Sequence, residues 1–370
     1  MPKQKTDLIN AASIGIEFSG PGIKWKVLKD VTVGGVSFGV FSDHDNSTLV
    51  NKGTLFGGSS GVSFSSGANM KVINKADGTI FGSSFGIDVS SVGLNSTIEN
   101  YGKVLSGAFG VNYTGPGDLD FKNEGIVQST SFAVTVNFND SAFRPKVINN
   151  GLIEGGFQGL AVQLTVAGDG RAKITNGEDG IIKGGLTTSQ ADGAAIFTNA
   201  KVKLTNKGAI EGVVSLDNSR NDKVINEGKI KGDVYLGDGN DTFDNRDGKT
   251  KGYIFAQEGK DKLIAGDKKE KFVFDNLPDS DRVKNFESGK DKFFLDPAEF
   301  NGLSLGPLEK SAFRRGTEAE DGDDRIIYDK ESGKLYADLD GVGGNGPDQF
   351  AKVDPGQKLK YSDFIIDTFV

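Results

Sequence analysis

An acidic, glycine-rich corner separates two short apolar stretches in residues 232–245 (GDVYLGDGNDTFDN). Gly237 and Gly239 leave the backbone accessible, while Asp238 and Asp241 add carboxylates within the same few residues. A plain hairpin needs only one Asn-Gly or Asp-Gly pair, so a turn alone does not require these acids. Hard divalent cations accept carboxylate and backbone carbonyl oxygens alike. The corner therefore predicts cation binding.

Two further corners, DNSRNDKV and QEGKDKL, are in register with this one. Their final acids, Asp222 and Asp261, lie nearly the same distance along the chain before and after Asp241. If the chain coils with this period, the three carboxylates lie about 4.8 Å apart, one above another, and repel unless screened. We expect one or two cations between these corners. The predicted ligands, through side chains or backbone carbonyls, are Leu236, Gly237, Asp238, Gly239, Asp241, Gly259, Asp261 and Asp222.

Composition excludes several classes of protein. The 370 residues include 53 Gly but only 9 Pro, and no G-X-Y period is present, so neither collagen nor Pro-rich disorder fits. The net charge of −8 and the lack of a basic stripe in the sequence argue against nucleic acid or an anionic membrane as partner. The absence of cysteine excludes disulfides and thiolate metal sites. We expect no membrane span and no N-terminal secretory signal, since no apolar stretch is long enough.

One unit recurs through most of the chain: two apolar residues, Asn, a spacer, Gly, a spacer, an aliphatic residue and Gly. LVNKGTLFGG, VINNGLIEGG and VINEGKIKG are examples. The unit recurs at the spacing of a repeat protein, and short alternating runs broken by glycine corners predict strands rather than helices. The recurring asparagines are Asn51, Asn74, Asn100, Asn123, Asn149, Asn176, Asn206, Asn226 and Asn245.

Each unit is therefore predicted to form one coil of a parallel β-solenoid. A single coil cannot bury its apolar face, but stacked coils form a continuous core. The expected inward stack is Val72, Ile98, Leu119, Val147, Ile174, Leu204, Val224 and Phe243. The asparagines have two interpretations of equal weight: a stacked ladder of side-chain amides, or residues that tolerate a left-handed turn.

The segment LGDGNDTF resembles the nonapeptide of repeats-in-toxin (RTX), or haemolysin-type, calcium-binding proteins, whose pattern is G-G-x-G-x-D-x-U-x. Gly237, Gly239 and Asp241 match this pattern, Leu236 replaces the first glycine, and Phe243 occupies the apolar position. The resemblance implies Ca²⁺ as the cation. In that family each ion lies between two turns on the same side of a parallel β-roll, held by aspartates and carbonyls.

The flanking corners depart from the RTX pattern. QEGKDKL keeps Gly259 and Asp261 but lacks the leading glycines, and DNSRNDKV keeps the acid at Asp222. Lys260 and Lys262 beside Asp261 make that corner less favourable for a cation. A long series of calcium sites is therefore not expected.

Residues 275–370 resemble the C-terminal region that follows the repeats in secreted RTX proteins, through RVKNFESGKDKFFLD and AFRRGTEAEDGDDRIIYD. RIIYDKESGKLYAD predicts two strands around a turn, which would cap the solenoid. In the ending YSDFIIDTFV, Asp363 precedes hydrophobic residues, as in the family's uncleaved secretion signal; a strand docked on the cap is an equal alternative. The resemblance implies type I export from a Gram-negative cell to the extracellular space, with the secretion machinery as a partner.

Catalysis is not expected. The lone His44 lies in a polar loop, FSDHDNSTLV, and no nucleophile, zinc-protease or phosphate-loop motif occurs. The sequence thus predicts a secreted, calcium-stabilised structural or adhesive protein that contacts a cell-surface or matrix glycan or protein; a polysaccharide-acting β-helix lyase or epimerase is the alternative. The predicted fold is all-β: a parallel β-helix or β-solenoid leading into a short RTX-like β-roll and a small β-rich cap. The predicted segments are a tail (1–20), the solenoid array (21–231), the calcium-binding repeats (232–274), and the cap and secretion region (275–370).

Overall fold

A computed structural model of the chain describes residues 2–10, 13–90, 95–138, 142, 144–156, 159–166, 170–185, 194–277, 279–344 and 346–369. The structure is 49% strand and 1% helix and forms a parallel β-solenoid of about 11 turns. The predicted fold class is confirmed. The chain divides into two compact units, Met1–Ser215 and Leu216–Val370, which are described separately.

Each coil of the first unit contributes one strand to each of three parallel sheets. Sheet A contains Lys3–Gln4, Lys24–Val27, Thr48–Asn51, Lys71–Asn74, Ser96–Asn100, Leu119–Asn123, Lys146–Asn149, Arg171–Asn176 and Lys201–Asn206. Sheet B contains Leu8–Asn10, Thr32–Gly35, Thr54–Gly57, Thr79–Gly82, Lys103–Ser106, Ile126–Ser129, Leu152–Glu154, Ile181–Lys183 and Ala209–Glu211. Sheet C contains Ile14–Glu17, Phe38–Ser42, Ser60–Ser65, Phe85–Ser90, Phe109–Gly115, Phe132–Phe138, Val162–Val166, Ile196–Thr198 and Val214–Ser215.

The first coil begins inside the segment that was predicted to be a tail. Lys3–Gln4, Leu8–Asn10 and Ile14–Glu17 pair in parallel with the strands of the next coil. The Leu8–Asn10 run lacks the glycine that follows at this spacing in the repeat, and it lies on sheet B rather than sheet A, so the repeat did not mark this coil. The tail prediction is therefore wrong over these strands.

The core of the first unit is a set of columns of apolar side chains that run from coil to coil along the inner faces of the sheets. In sheet A the column position lies two residues before each recurring Asn. Phe121 occupies it between Ile98 and Val147, whereas the predicted Leu119 pairs with Ser96. Leu119 is also fully buried, because residues i and i+2 of a strand face the same side. On sheet C, half-buried phenyl rings also stack from coil to coil. The ring of Phe109 lies between those of Phe85 and Phe132, and its centroid is 5.1 Å from each of theirs.

The recurring asparagines form a buried ladder, which decides between the two interpretations. In the first unit each side-chain amide donates to the Oδ1 of the Asn one coil further on, at 2.8–2.9 Å from Asn51 through Asn206. None of these asparagines has a positive φ. The ladder therefore satisfies polar groups inside the coil corner, and the turn interpretation is wrong.

The second unit begins with coils of three strands and continues with coils of two. Its sheet D contains Lys223–Asn226, Thr242–Asp244, Lys262–Ile264, Asp281–Lys284, Phe313–Arg315, Ile326–Asp329, Lys334–Ala337 and Asp348–Lys352. Sheet E contains Lys229–Ile230 and Lys249–Thr250. Sheet F contains Val234–Tyr235, Ile254–Phe255, Lys271–Phe274, Lys292–Leu295, Gly306–Pro307 and Phe364–Ile366. From Lys262 onward, described coils have strands on sheets D and F only, as in a two-sided β-roll.

The C-terminal part of this unit adds the last strands to sheets D and F. Ile326–Asp329 and Lys334–Ala337 form the predicted antiparallel hairpin. Phe364–Ile366 pairs in parallel with Lys292–Leu295, so the chain ends in a docked strand. The helix content of the described residues is one short 3-10 turn, Tyr361–Asp363, and no helix there is able to cross a bilayer.

Candidate metal centre

The acids of the three predicted corners stack in the second unit. Strand register aligns Lys223 with Thr242 and Thr242 with Lys262, which places the preceding residues Asp222, Asp241 and Asp261 one above another. Asp281 extends the column by one coil, because Arg282 is in register with Lys262. All four acids are at most 3% exposed. The predicted register is confirmed.

Hydrogen bonds join the column along its length. The backbone N–H of Asp222 donates to Oδ1 of Asp241 at 2.6 Å, and that of Asp241 donates to Oδ1 of Asp261 at 2.7 Å. The N–H of Asp261 donates to Oδ1 of Asp281 at 2.8 Å. Each of these carboxylates thus reaches towards the preceding coil and keeps one further oxygen. In the first corner, the side-chain amide of Asn218 donates to Oδ2 of Asp222 at 2.9 Å.

The corners at Asp241 and Asp261 share one backbone conformation. Gly237 and Gly239 have φ of 84° and 129°, and Gln257 and Gly259 have φ of 64° and 131°. The second corner therefore keeps the turn without the leading glycines. Gln257 accepts the N–H of Gly237 through its side-chain oxygen at 2.9 Å, which holds the two turns together.

Gly259 is the glycine that this stacking needs most. A Cβ built there would lie 1.6 Å from the carbonyl oxygen of Gly239, and its φ belongs to a region open only to glycine. We expect Gly259→Ala to lower the free energy of unfolding by about 1–3 kcal/mol. Urea denaturation in saturating calcium measures this. Gly322→Ala, where a Cβ meets nothing within 4 Å, is the control, and equal losses in both variants would contradict the clash.

The central corner presents oxygen atoms that the described residues leave available. No described hydrogen bond reaches the carbonyl oxygens of Gly237, Asp238 or Gly239. Oδ2 of Asp261 is buried and has no hydrogen-bond partner among the described residues. The Asp238 side chain is exposed, so Asp238 can contribute only its carbonyl to a site at this corner. Leu236 likewise offers a backbone oxygen alone, because its side chain lies in the core.

The column carries an electrostatic cost. Burial, followed by the negative charge of Asp281, raises the pKa of Asp261 to about 9. Burial also raises the pKa of Asp281 to about 7. Lys260 and Lys262 do not offset this cost: both are exposed, and neither forms an ion pair with Asp261 within the described residues.

The donor set consists of oxygen atoms, which are the ligands that hard cations accept. Among the described residues, no group of three or more His, Cys, Asp or Glu side chains is placed to hold a metal ion. Ligands at these corners would therefore be one carboxylate per coil together with turn carbonyls. Ca²⁺ accepts such a set, whereas zinc requires nitrogen or sulfur ligands in most sites.

A second column of acids was predicted only in part: the corner AGDKKEKF puts Glu270 where the acid belongs, whereas Asp291 was missed. The N–H of Glu270 donates to Oδ1 of Asp291 at 3.1 Å, and Asn245 donates to Oε1 of Glu270 at 2.8 Å. Oε2 of Glu270 is buried without a hydrogen-bond partner in the described part of the chain. The segments NLPDSD and FESGKD place Asp281 and Asp291 at the sixth position of a corner, which was the available sign of both residues.

His44 lies beside Asp43 at the surface of the first unit. Its Nε2 lies 3.4 Å from Oδ1 of Asp43, and both side chains are substantially exposed, at 35% and 53%. The pair lies at a corner of the first unit, where water screens it.

Comparison with family models and curated proteins identified no relative of this chain. No protein-family model matches the chain, and no curated protein sequence matches it. The RTX resemblance therefore stays a prediction from the quoted motifs, and the functional argument depends on the buried column of acids.

Proposed function

We propose that this chain is a secreted protein whose second unit binds Ca²⁺ and folds fully only when the ion is present. The observation that supports this is the column of buried aspartates at stacked corners with accessible carbonyl oxygens. The protein then acts as a structural, adhesive or matrix-interacting protein outside the cell.

Buried carboxylates at strand spacing repel one another, and leaving water costs each of them free energy. A divalent cation removes both penalties at once, because it supplies positive charge and replaces the lost hydration oxygens. Calcium suits a glycine corner, where carbonyls can turn towards the ion without side-chain obstruction.

The ion would lie between the corners of Asp241 and Asp261. These two carboxylates supply the charge, and the carbonyls of Leu236 to Gly239, with that of Gly259, supply neutral oxygens. A second ion between Asp222 and Asp241 would compete with Asn218, whose amide donates to Oδ2 of Asp222.

Calcium binding of this kind couples to folding. An ion that binds only the folded state stabilises it by RT ln(1 + [L]/Kd), so folding follows the calcium concentration. A chain kept loose in a calcium-poor cytosol can be exported and then fold outside. The export route, type I secretion through the C-terminal region, rests on the resemblance alone.

A calcium titration of the chelated full chain tests the proposal, with far-UV circular dichroism and thermal unfolding as readouts and magnesium as control. We expect a calcium-specific rise in β-signal and melting temperature. For Asp241→Asn, which keeps an oxygen for the N–H of Asp222, the calcium midpoint should rise about tenfold, equivalent to about 1.4 kcal/mol.

The same variant has an opposite expected effect in chelator. Asp241→Asn removes a buried negative charge, so without calcium it should be at least as stable as the wild type. Asp247→Ala, an exposed acid at another corner, should match the wild type in both conditions. A chain that folds fully without calcium, or an unchanged midpoint in Asp241→Asn, would contradict the proposal.

A groove of the first unit bears on the alternative of a polysaccharide-acting enzyme. In a groove of the first unit, Glu154 accepts hydrogen bonds from Gln128 at 3.0 Å and from Lys183, beside Gly155 and Gly184. Glu154 raises the pKa of Lys183 through this hydrogen bond, so the amine stays a cation and a poor base. With both Glu154 oxygens engaged, the arrangement supports binding better than proton transfer.

A further inference from the structure

Sheet A of the first unit carries a cluster of cations on two adjacent coils. Arg171 is in register with Lys201, and Lys173 with Lys203. These residues, here called the basic quartet, alternate with buried residues along both strands and therefore face outward. Three of them are exposed, and Lys201 is half-exposed.

No residue of the basic quartet forms an ion pair with an acid within the described residues. Two cations on earlier coils of the same sheet face are paired: Lys71 Nζ lies 2.7 Å from Oε1 of Glu99, and Lys146 Nζ lies 3.1 Å from Oδ1 of Asp120. Like charges directly opposite across strands are destabilising. The four cations therefore offer a surface to which an external anion can bind.

We infer that the basic quartet binds an acidic polysaccharide, a partner class that rests on the extracellular role proposed above. The sugar carboxylates of such a polymer form a single file of closely spaced charges. The quartet offers cations at matching close spacing, about 4.8 Å from coil to coil on a flat sheet. Lysine ammonium groups bind as mobile point charges and tolerate the irregular geometry of a flexible glycan.

Other polyanions fit this face less well. The outward residues that follow the quartet along its strands are Thr175 and Thr205, so no aromatic ring is placed for stacking against nucleic-acid bases. A flat anionic membrane bound to this face would lie close to Glu99 and Asp120, which are on the same sheet face, and its phosphates would repel these carboxylates. A single glycan chain can follow the cations and avoid those acids.

This surface could not be predicted from the linear sequence. Arg171 and Lys173 lie one whole coil before their partners, Lys201 and Lys203, and only the coil register brings the pairs together. The expectation that the chain lacks a basic stripe is therefore wrong for this face.

Binding of short oligogalacturonates to the full chain in saturating calcium, measured by isothermal titration calorimetry, tests the inference. We expect binding that weakens with added salt, because its source is exposed charge. The double variant Lys173→Gln/Lys203→Gln should bind about tenfold more weakly. Lys103→Gln/Lys229→Gln removes the same charge from two other exposed lysines and should bind like the wild type.

Several outcomes would overturn the inference: no binding by the wild type at low salt, equal binding by the two double variants, or tighter binding of a single-stranded oligonucleotide or of phosphatidylserine vesicles than of the uronate. Failure here is distinct from failure of the calcium proposal. The quartet variants should keep the wild-type calcium midpoint, and Asp241→Asn should keep its glycan affinity once saturated with calcium.

Discussion

Replacing Asn123 by alanine is expected to lower the free energy of unfolding by about 3–5 kcal/mol, because several buried polar groups lose their partners together. The Asn123 amide donates to Asn149 at 2.8 Å and to the carbonyl of Leu152 at 3.0 Å. Its own oxygen accepts the amide of Asn100 at 2.8 Å. Asn123 is fully buried, so water cannot replace these bonds.

The loss should exceed that of an ordinary hydrogen bond for a second reason. A continuous ladder polarises its members, and a break in the middle weakens the bonds on both sides. Alanine also leaves a small void at the coil corner, which adds a packing term. Every coil joined by this ladder depends on its neighbours, since repeat proteins derive stability from the interfaces between units.

Urea denaturation followed by circular dichroism in saturating calcium measures the effect. Asn137→Ala is the control: Asn137 is half-buried in a strand of the same unit and lies outside the ladder. A loss in Asn123→Ala no larger than that in Asn137→Ala would mean that the ladder bonds contribute nothing in solution.

The recurring Asn predicted the coils, but it could not fix their detail. The repeat set the period and the strand order, because stacking identical units is the only way such units bury their apolar residues. Counting two residues back from Asn123 gives Phe121, as in the other coils, so the prediction of Leu119 departed from the repeat; Leu119 also faces inward and is buried. The ladder itself was undecided, because Asn is favoured in both buried amide stacks and left-handed turns.

The corner glycines marked only part of the site, since Asp222 was predicted from the period at a corner without glycine. Asp241 and Asp261 follow corners with Gly at the fourth position, and the sequence located both. Asp281 follows a corner without glycine, so no local sign marked it as strongly. Gln257 shows the same limit, because tertiary contacts hold a non-glycine residue at φ 64°.

In saturating calcium, lowering the pH from 8 to 5 is expected to stabilise the wild type relative to Glu270→Gln by about 3 kcal/mol. Burial, followed by the charge of Asp291, raises the pKa of Glu270 from 4.5 to about 7. Lys290 opposes this shift only partly. The folded state therefore binds a proton that the unfolded chain releases at lower pH.

The sign follows from this difference in proton binding. Between pH 4.5 and about 7 the folded chain holds more protons than the unfolded chain, so its stability falls as the pH rises. The contribution is complete below pH 4.5 and is lost as the pH rises through about 7. Because Glu270 and Asp291 are in contact, this step belongs to the pair.

Glu270→Gln removes the titrating group but keeps an oxygen for the amide of Asn245. Its stability should therefore change less with pH, and the two profiles should converge towards acid. Asp267→Asn, an exposed acid in the same corner, should follow the wild-type profile. Parallel profiles of stability against pH for wild type and Glu270→Gln would show that the pKa of Glu270 is not raised. The buried packing of Glu270 beside Asp291 would then not hold in solution.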